Sequence, residues 1–363
     1  MIYLDANATE PLRPQAREAA LAAMQSGGNP ASIHMAGRAA RKILETARED
    51  VARFTGARPV DVIFCSGATE ANALALHALG PARPILIGAT EHDAIRAAAP
   101  GAVIIPVLPV GGVDLAALAA LLAQHQGALV CLMAANNETG VQHDIEAAAV
   151  LCQKADALLH VDAVQAIGRA PQDWFGMGVA SLALSGHKFG GLPGAGALVT
   201  RPGLEIAALL KGGGQELGRR GGTPALPAIA ALAAALGLAY PAAQIAAWRD
   251  EIEAFCQSQG AVVVGQGAHR LPNTSCLILP GVRAETQLIA LDMAGICVSA
   301  GSACSSGKVA ASHVLLAMGL GAQAGQAIRV SLPWNTQDAM VEKFKVAYAA
   351  MAARALRNTV QSA

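Results

Sequence analysis

Between residues 60 and 200 the chain alternates short, wholly apolar runs with segments of helical character, and few folds accept that rhythm. Candidate strands are Val60–Cys65, Pro84–Gly88, Ala102–Leu108, Ala128–Ala134, Ala157–Val161, Ser181–Ser185 and Gly196–Thr200. A strand apolar on both faces must be covered on both faces, so the pattern predicts an α/β fold with a mainly parallel seven-stranded sheet. Asp114–His125 and Asp144–Lys154, between these runs, read as helices, each opened by an aspartate suited to a helix N-terminus.

Near residues 240–245 the rhythm changes. Helix Ala242–Ser258, strands Ala261–Val264 and Ser275–Leu279, helix Ala284–Ala294, strand Ile296–Ala300, helix Ser312–Met318, strand Ile328–Leu332 and a last helix from Gln337 predict a second, smaller α/β unit. The uncharged stretch Thr223–Trp248 owes its hydropathy to alanine and is interrupted by Pro224, Pro227 and Pro241, so it reads as a buried helix rather than a membrane span. At 363 residues, 53% hydrophobic and 14% charged, the chain suits two folded domains and not general disorder. Equal numbers of basic and acidic side chains, 26 each, give no basis for a nucleic acid or an anionic membrane as partner. Seven scattered cysteines without a C-x-x-C pair point to a reducing compartment, and Met1–Asp5 carries no secretion signal, so a cytoplasmic protein is expected.

Three polar segments fall at the ends of predicted strands, where open α/β sheets form their sites. Phe64-Cys65-Ser66-Gly67-Ala68-Thr69-Glu70 turns from strand into helix, and small residues there let backbone N–H groups approach a phosphate. Asp162 ends the next segment, where a carboxylate serves a metal, a helix cap or a protonated ring nitrogen equally well. Lys188 follows a third strand, bounded by Gly186, Gly190 and Gly191; it reads as a partly desolvated Schiff-base lysine or as a snorkelling surface one. Together the three supply what pyridoxal phosphate needs: an amine for its aldehyde, an acid for its ring nitrogen and a cup for its phosphate.

The chain resembles the class V aminotransferase superfamily, and within it the cysteine desulfurases of the NifS/IscS group. The resemblance covers nearly the whole length. It is carried by Gly28-Asn29-Pro30-Ala31-Ser32, Ser66–Glu70, Thr90-Glu91-His92, Asn136-Asn137-Glu138-Thr139-Gly140, His160-Val161-Asp162-Ala163, Ser185-Gly186-His187-Lys188 and Gly221-Gly222-Thr223. The most diagnostic piece is Ser299-Ala300-Gly301-Ser302-Ala303-Cys304-Ser305-Ser306, followed by Ile328-Arg329-Val330-Ser331-Leu332. The resemblance implies the aspartate-aminotransferase-like architecture, fold type I. A large pyridoxal-phosphate domain would span 15–243, with a small domain from 1–14 and 244–363 that carries the catalytic-cysteine loop at about 300–311.

It also implies roles. Lys188 forms the Schiff base, Asp162 pairs with the pyridine nitrogen, Gln165 bonds the ring hydroxyl, and His92 stacks on the ring and moves protons. Ala68, Thr69, Ser185 and His187 hold the phosphate, with Thr223 reaching in from the second subunit of a homodimer. Asn137 and Arg329 face the substrate carboxylate. L-Cysteine becomes L-alanine, its sulfur passing to Cys304 as a persulfide and on to an acceptor or scaffold protein for iron–sulfur cluster assembly. No resident metal is expected, Cys304 being at most a transient iron–sulfur ligand. Read without the family, His92 is a helix-cap histidine after Thr90, and the other six cysteines are small buried residues.

Three features depart from the family pattern: Glu10 where a threonine is usual, Asp93 where a lysine is common, and an end soon after the last helix, without the longer tail some members use to grip their scaffold. Rival readings are a selenocysteine lyase or another class V aminotransferase or lyase. A silent sulfur carrier would show damage at Lys188, Asp162 or His92, and all three are present. A nicotinamide-binding protein would carry G-x-G-x-x-G after the first strand, and this chain does not.

Overall fold

The computed structural model describes residues 1–170, 172–301 and 311–361, with side chains described as far as residue 355. Cys304 and the loop expected around it fall outside the described residues.

The chain opens with β1 (Ile2–Tyr3), α1 (Pro14–Ser26) and α2 (Met35–Thr55). Strands and helices then alternate: β2 (Val62–Cys65), α3 (Ala68–Leu79), β3 (Ile85–Gly88), α4 (Asp93–Arg96), β4 (Val103–Ile105), α5 (Leu115–Gln124), β5 (Leu129–Met133), α6 (Ile145–Lys154) and β6 (Leu158–Asp162). After β7 (Ser181–Ser185) and β8 (Gly196–Thr200) come α7 (Leu226–Leu236) and α8 (Ala242–Ser258).

Strands β2 to β8 form one seven-stranded sheet in the order β2-β8-β7-β6-β5-β3-β4. Neighbours from β7 through β4 pair in parallel, and β8 alone runs against both of its neighbours. Alternate residues of each strand serve opposite faces. Val130 and Leu132 join a core with α1, α2 and α7, while Leu129 and Cys131 join one with α3. The apolar runs thus lack a polar face because the sheet is covered on both sides. Asp114 and Asp144 cap α5 and α6 as expected, accepting from Ala117 N and Ala147 N at 2.9 Å each.

Downstream lie β9 (Val262–Val263), β10 (Thr274–Ile278), α9 (Ala284–Met293), β11 (Ile296–Cys297), α10 (His313–Ala317), β12 (Ala327–Ser331) and α11 (Asp338–Gln361). A three-stranded antiparallel sheet, β12-β10-β9, packs with α8, α9 and α11 around a separate apolar core. The N-terminus joins this second unit: β1 pairs with β11, Asp5 bridges Ser331, and Leu4 is fully buried in its core. Residues 5–10 consequently run between the two sheets, close to the site described below.

The alanine-rich stretch is not one helix. It divides into α7 and α8, separated by Gly237–Pro241, because Pro241 cannot continue a helix from its N-terminal side. Helix α7 is buried on nearly all sides and packs on α1 and α2. Among the described residues no helix is long and apolar enough to cross a membrane, and no cluster of side chains suits a metal. Of the six cysteines read as buried, Cys297 is only partly so.

Candidate active site

A cleft of about 710 Å³ opens at the carboxyl ends of the parallel strands. Ala68, Thr69, His92, Asn137, Asp162, Gln165, Ser185, His187, Lys188 and Arg329 all line it, joined by Asp5 and Asn7 from the N-terminal segment and by Gly301 and His313. Thr223 is exposed and does not line its own chain's cleft.

One end suits an anion. Helix α3 starts here, and the first N–H groups of a helix have no partner within it. A Cβ on Gly196 would stand 2.6 Å from the Gly67 backbone, so glycine at 196 permits the close approach of β8 to this turn. His187 sits beside it with Nδ1 3.1 Å from Thr9 Oγ1. Burial, then the charge of Lys188, lowers His187 to about 4, so at neutral pH it is an uncharged partner. Glu70 in the first turn does not oppose an anion freely, because Arg220 holds it at 2.7 and 3.1 Å. Burial opposes its ionisation, yet the hydrogen bonds from Arg220 and Ser66 win and keep its carboxyl below the ordinary value.

The other end suits a protonated ring nitrogen. Asp162 accepts from Asn72 Nδ2 at 2.8 Å and from Val164 N at 3.1 Å. Asn72 Oδ1 lies 3.0 Å from His160 Nε2, and His160 Nδ1 lies 2.8 Å from Ser181 Oγ. Burial lowers His160 to about 4, so it is neutral. An amide oxygen only accepts, which places the ring proton on Nε2 and leaves Nδ1 to accept from Ser181. Every donor in the series Ser181, His160, Asn72 therefore points towards the carboxylate, fixing its orientation. Behind it, Glu91 is fully buried and accepts from Met133 N at 2.6 Å. Burial and the nearby Asp162 charge raise its carboxyl well above the ordinary value.

Lys188 Nζ donates to the carbonyls of Asn7 at 2.7 Å and Ala8 at 3.0 Å. His92 caps α4 with Nδ1, which accepts from Ala94 N at 3.0 Å. The capping and proton-moving readings are thus compatible, since the cap fixes Nδ1 as acceptor and leaves Nε2 to the cleft. Arg329 is engaged already: Nη2 donates to Asp5 Oδ1 at 2.6 Å and Nη1 to Asn137 O at 3.1 Å, while buried Nε has no partner among the described residues. Beyond them, Ser312 Oγ donates to Glu138 at 2.6 Å and His313 Nε2 to Glu91 O at 3.1 Å.

The family model for class-V aminotransferases matches residues 2–344. The chain belongs to that family. It is 40% identical to a cysteine desulfurase of Cereibacter sphaeroides over 361 residues, covering 94% of this chain and 93% of that one. The solved NifS-like protein of Rickettsia africae superposes with a TM-score of 0.91 at 34% identity, covering 97% and 99% of the two chains. SspA, solved in complex with cysteine, superposes with a TM-score of 0.80 at 27% identity, covering 92% and 99%. These similarities place the chain among the cysteine desulfurases of the class-V family, and its architecture is their fold type I.

Several residues of this class-V site gave no signal in the sequence. Asn72, Asn7 and Arg169 act through partners far away in the chain, such as the 90 residues between Asn72 and Asp162. His160 stood inside a recognised motif, but only its burial and two partners reveal its task.

Burial also lowers His143 to about 4, with Nδ1 accepting from Val113 N at 3.0 Å. An unfolded histidine near 6.5 takes up a proton that folded His143 and His160 refuse. Their contribution to stability is present above about pH 6.5 and is lost as pH falls towards about 4, at about 1.4 kcal/mol per pH unit for each. Denaturant midpoints measured between about pH 7 and pH 4 will fall accordingly, and His143→Gln will make the slope shallower. A slope the variant leaves unchanged would contradict this account.

Proposed function

We propose that this chain is a cysteine desulfurase that binds pyridoxal phosphate, moves sulfur from L-cysteine to Cys304 and releases L-alanine. The observation that carries the reading is that Lys188 and Asp162 stand at the carboxyl ends of the adjacent strands β7 and β6 and open into one cleft with Arg329. The donor set fits the cofactor. The start of α3, Ser185 and neutral His187 would hold the phosphate, Asp162 the ring nitrogen, Gln165 the ring oxygen and Lys188 the aldehyde carbon. Bound there, pyridoxal phosphate supplies an electron sink next to the substrate Cα.

The protein's own groups do the rest. Arg329, with Asn137 beside it, takes the substrate carboxylate, a match of planar fork to planar anion. Lys188 Nζ removes the Cα proton. His92 Nε2 handles the protons of the two thiols. Cys304 Sγ attacks the substrate Sγ; the S–S bond forms as Cβ–Sγ breaks, with the electron pair leaving on carbon, which is then protonated. Alanine leaves and Cys304 keeps a persulfide. Among the other cysteines, burial pushes Cys65 and Cys152 up to about 12 and Cys131, Cys256 and Cys276 in the same direction, so none of these five is a thiolate at neutral pH.

The working unit in this reading is a homodimer, with Thr223 of each chain completing the phosphate site of the other; its exposure on its own chain supports that. The sulfur then goes to an acceptor protein, with iron–sulfur assembly as its destination. The two separate apolar cores support a large domain of 15–243 and a small one of 1–14 with 244–363.

The cofactor-loaded protein is expected to form alanine from L-cysteine with dithiothreitol present; no alanine would remove the reading. Arg329→Gln loses charge-assisted bonds worth about 1.5–3 kcal/mol, so KM for L-cysteine is expected to rise about 10- to 100-fold in steady-state alanine assays. An unchanged KM would place the carboxylate elsewhere.

A further inference from the structure

Glu10 departs from the family's usual threonine, and the structure gives it a partner. Its carboxylate accepts from Arg169 Nη2 at 2.6 Å, and both side chains are 1% exposed. The other oxygen accepts from Trp334 N at 2.7 Å, and Glu10 N donates to His187 O at 2.8 Å. One residue therefore joins the N-terminal segment, the turn after β7 and the segment after β12.

Arg169 carries the link into the cleft. Its Nη1 donates to Gln165 Oε1 at 2.6 Å and to Asn7 Oδ1 at 3.2 Å, and its Nη2 also donates to Lys188 O at 2.9 Å. We propose that Glu10 and Arg169 are a positioning pair that holds the Gln165 amide with its donor end, not its acceptor end, available to the ring oxygen of the cofactor. The proposal rests on the reading that this cleft takes pyridoxal phosphate.

The argument is one of donors and acceptors. A guanidinium has no acceptor, so the group that Gln165 turns towards Arg169 must be its oxygen. Nε2 is then fixed on the other side, where one hydrogen goes to Asn7 O at 3.0 Å and the second is left for the cleft that Gln165 lines. Turned over, the amide would set its oxygen against the negatively charged ring oxygen. Nothing in an amide's shape prevents that, because its two ends are nearly the same size; only the partners decide. Arg169 in turn needs Glu10, since without it the buried guanidinium would be drawn to its other acceptors, Asn7 Oδ1 and the Lys188 carbonyl. Buried ion pairs contribute little net stability against apolar replacements, so fixing a geometry is the better account of this one.

The test uses the visible absorbance of the pyridoxal-phosphate-loaded protein, titrated with pH. A hydrogen bond donated to the ring oxygen stabilises its charge; without it the cofactor keeps its nearby proton more tightly, and the absorbance midpoint rises. Loss of one such bond corresponds to a rise of about one pH unit. Gln165→Leu and Glu10→Gln are each expected to raise the midpoint by that amount, and Glu10→Gln combined with Gln165→Leu no further than Gln165→Leu alone. Because Glu10→Gln strands a buried charge, Glu10→Leu with Arg169→Met, which strands none, serves as the second variant and is expected to show the same rise. A wild-type midpoint in the Glu10 and Arg169 variants, or shifts that add to that of Gln165→Leu, would overturn the pair's role while leaving the functional reading intact. Failure of the wild-type protein to take up pyridoxal phosphate would overturn both.

Discussion

Lys188→Ala is expected to lower alanine formation from L-cysteine about 10²- to 10⁴-fold, the range a positioned acid–base group contributes. It should also lose the visible absorbance that survives desalting in the wild-type holoenzyme. The ammonium is not a free surface group. It lies in the turn just after β7, where a Cβ on Gly186 would stand 3.1 Å from Leu232 Cβ of α7, and it is held between the carbonyls of Asn7 and Ala8. Carbonyls cannot take its place in either role, as they neither bond covalently to an aldehyde nor remove a Cα proton. Lys188→Arg should not rescue, because a guanidinium stays protonated at any pH the protein tolerates. Retained turnover in Lys188→Ala would show that another amine does this work, and the assignment of the cleft would fall with it.

The sheet was legible because parallel strands covered on both faces are apolar throughout, and all seven appear where those runs lie. Ser181–Ser185 and Gly196–Thr200 have the bounds read from sequence, whereas Ala102–Leu108 shrinks to Val103–Ile105 because the next residue, Pro106, has no N–H for a ladder. Asp162 and Lys188 were legible for the same reason: each is a charged residue stopping an apolar run, where such sheets place their sites. The reversal of β8 was not, since strand direction has no local signature in a fully buried strand. The support of the site was illegible too. Glu10 and Arg169 are 159 residues apart, and Asn72 and Asp162 are 90 apart. Their roles exist only once the N-terminal segment is laid between the two sheets. Glu10 showed in the sequence as a departure without a cause, and Arg169 showed as nothing at all.

In the proposed reading, Cys304 is where pyridoxal-phosphate chemistry becomes desulfuration. A thiol near its ordinary pKa of about 8.5 is only a few per cent ionised at pH 7, but a thiolate is intrinsically strong enough as a nucleophile that this fraction suffices beside a proton-accepting group. The five deeply buried thiols are pushed away from ionisation, and Cys297, partly exposed on β11, provides a control. Gly301 lines the cleft with His92. Loss of the attacking thiol should therefore cost at least about 10²-fold, the low end for removing a group that takes part in the chemical step. The deciding measurement is alanine and sulfide release from L-cysteine, with dithiothreitol, by the wild-type holoenzyme, Cys304→Ala and Cys297→Ala. The account predicts both products from wild type and Cys297→Ala, and from Cys304→Ala an unchanged cofactor absorbance with turnover all but gone. Equal turnover in wild type and Cys304→Ala would contradict it.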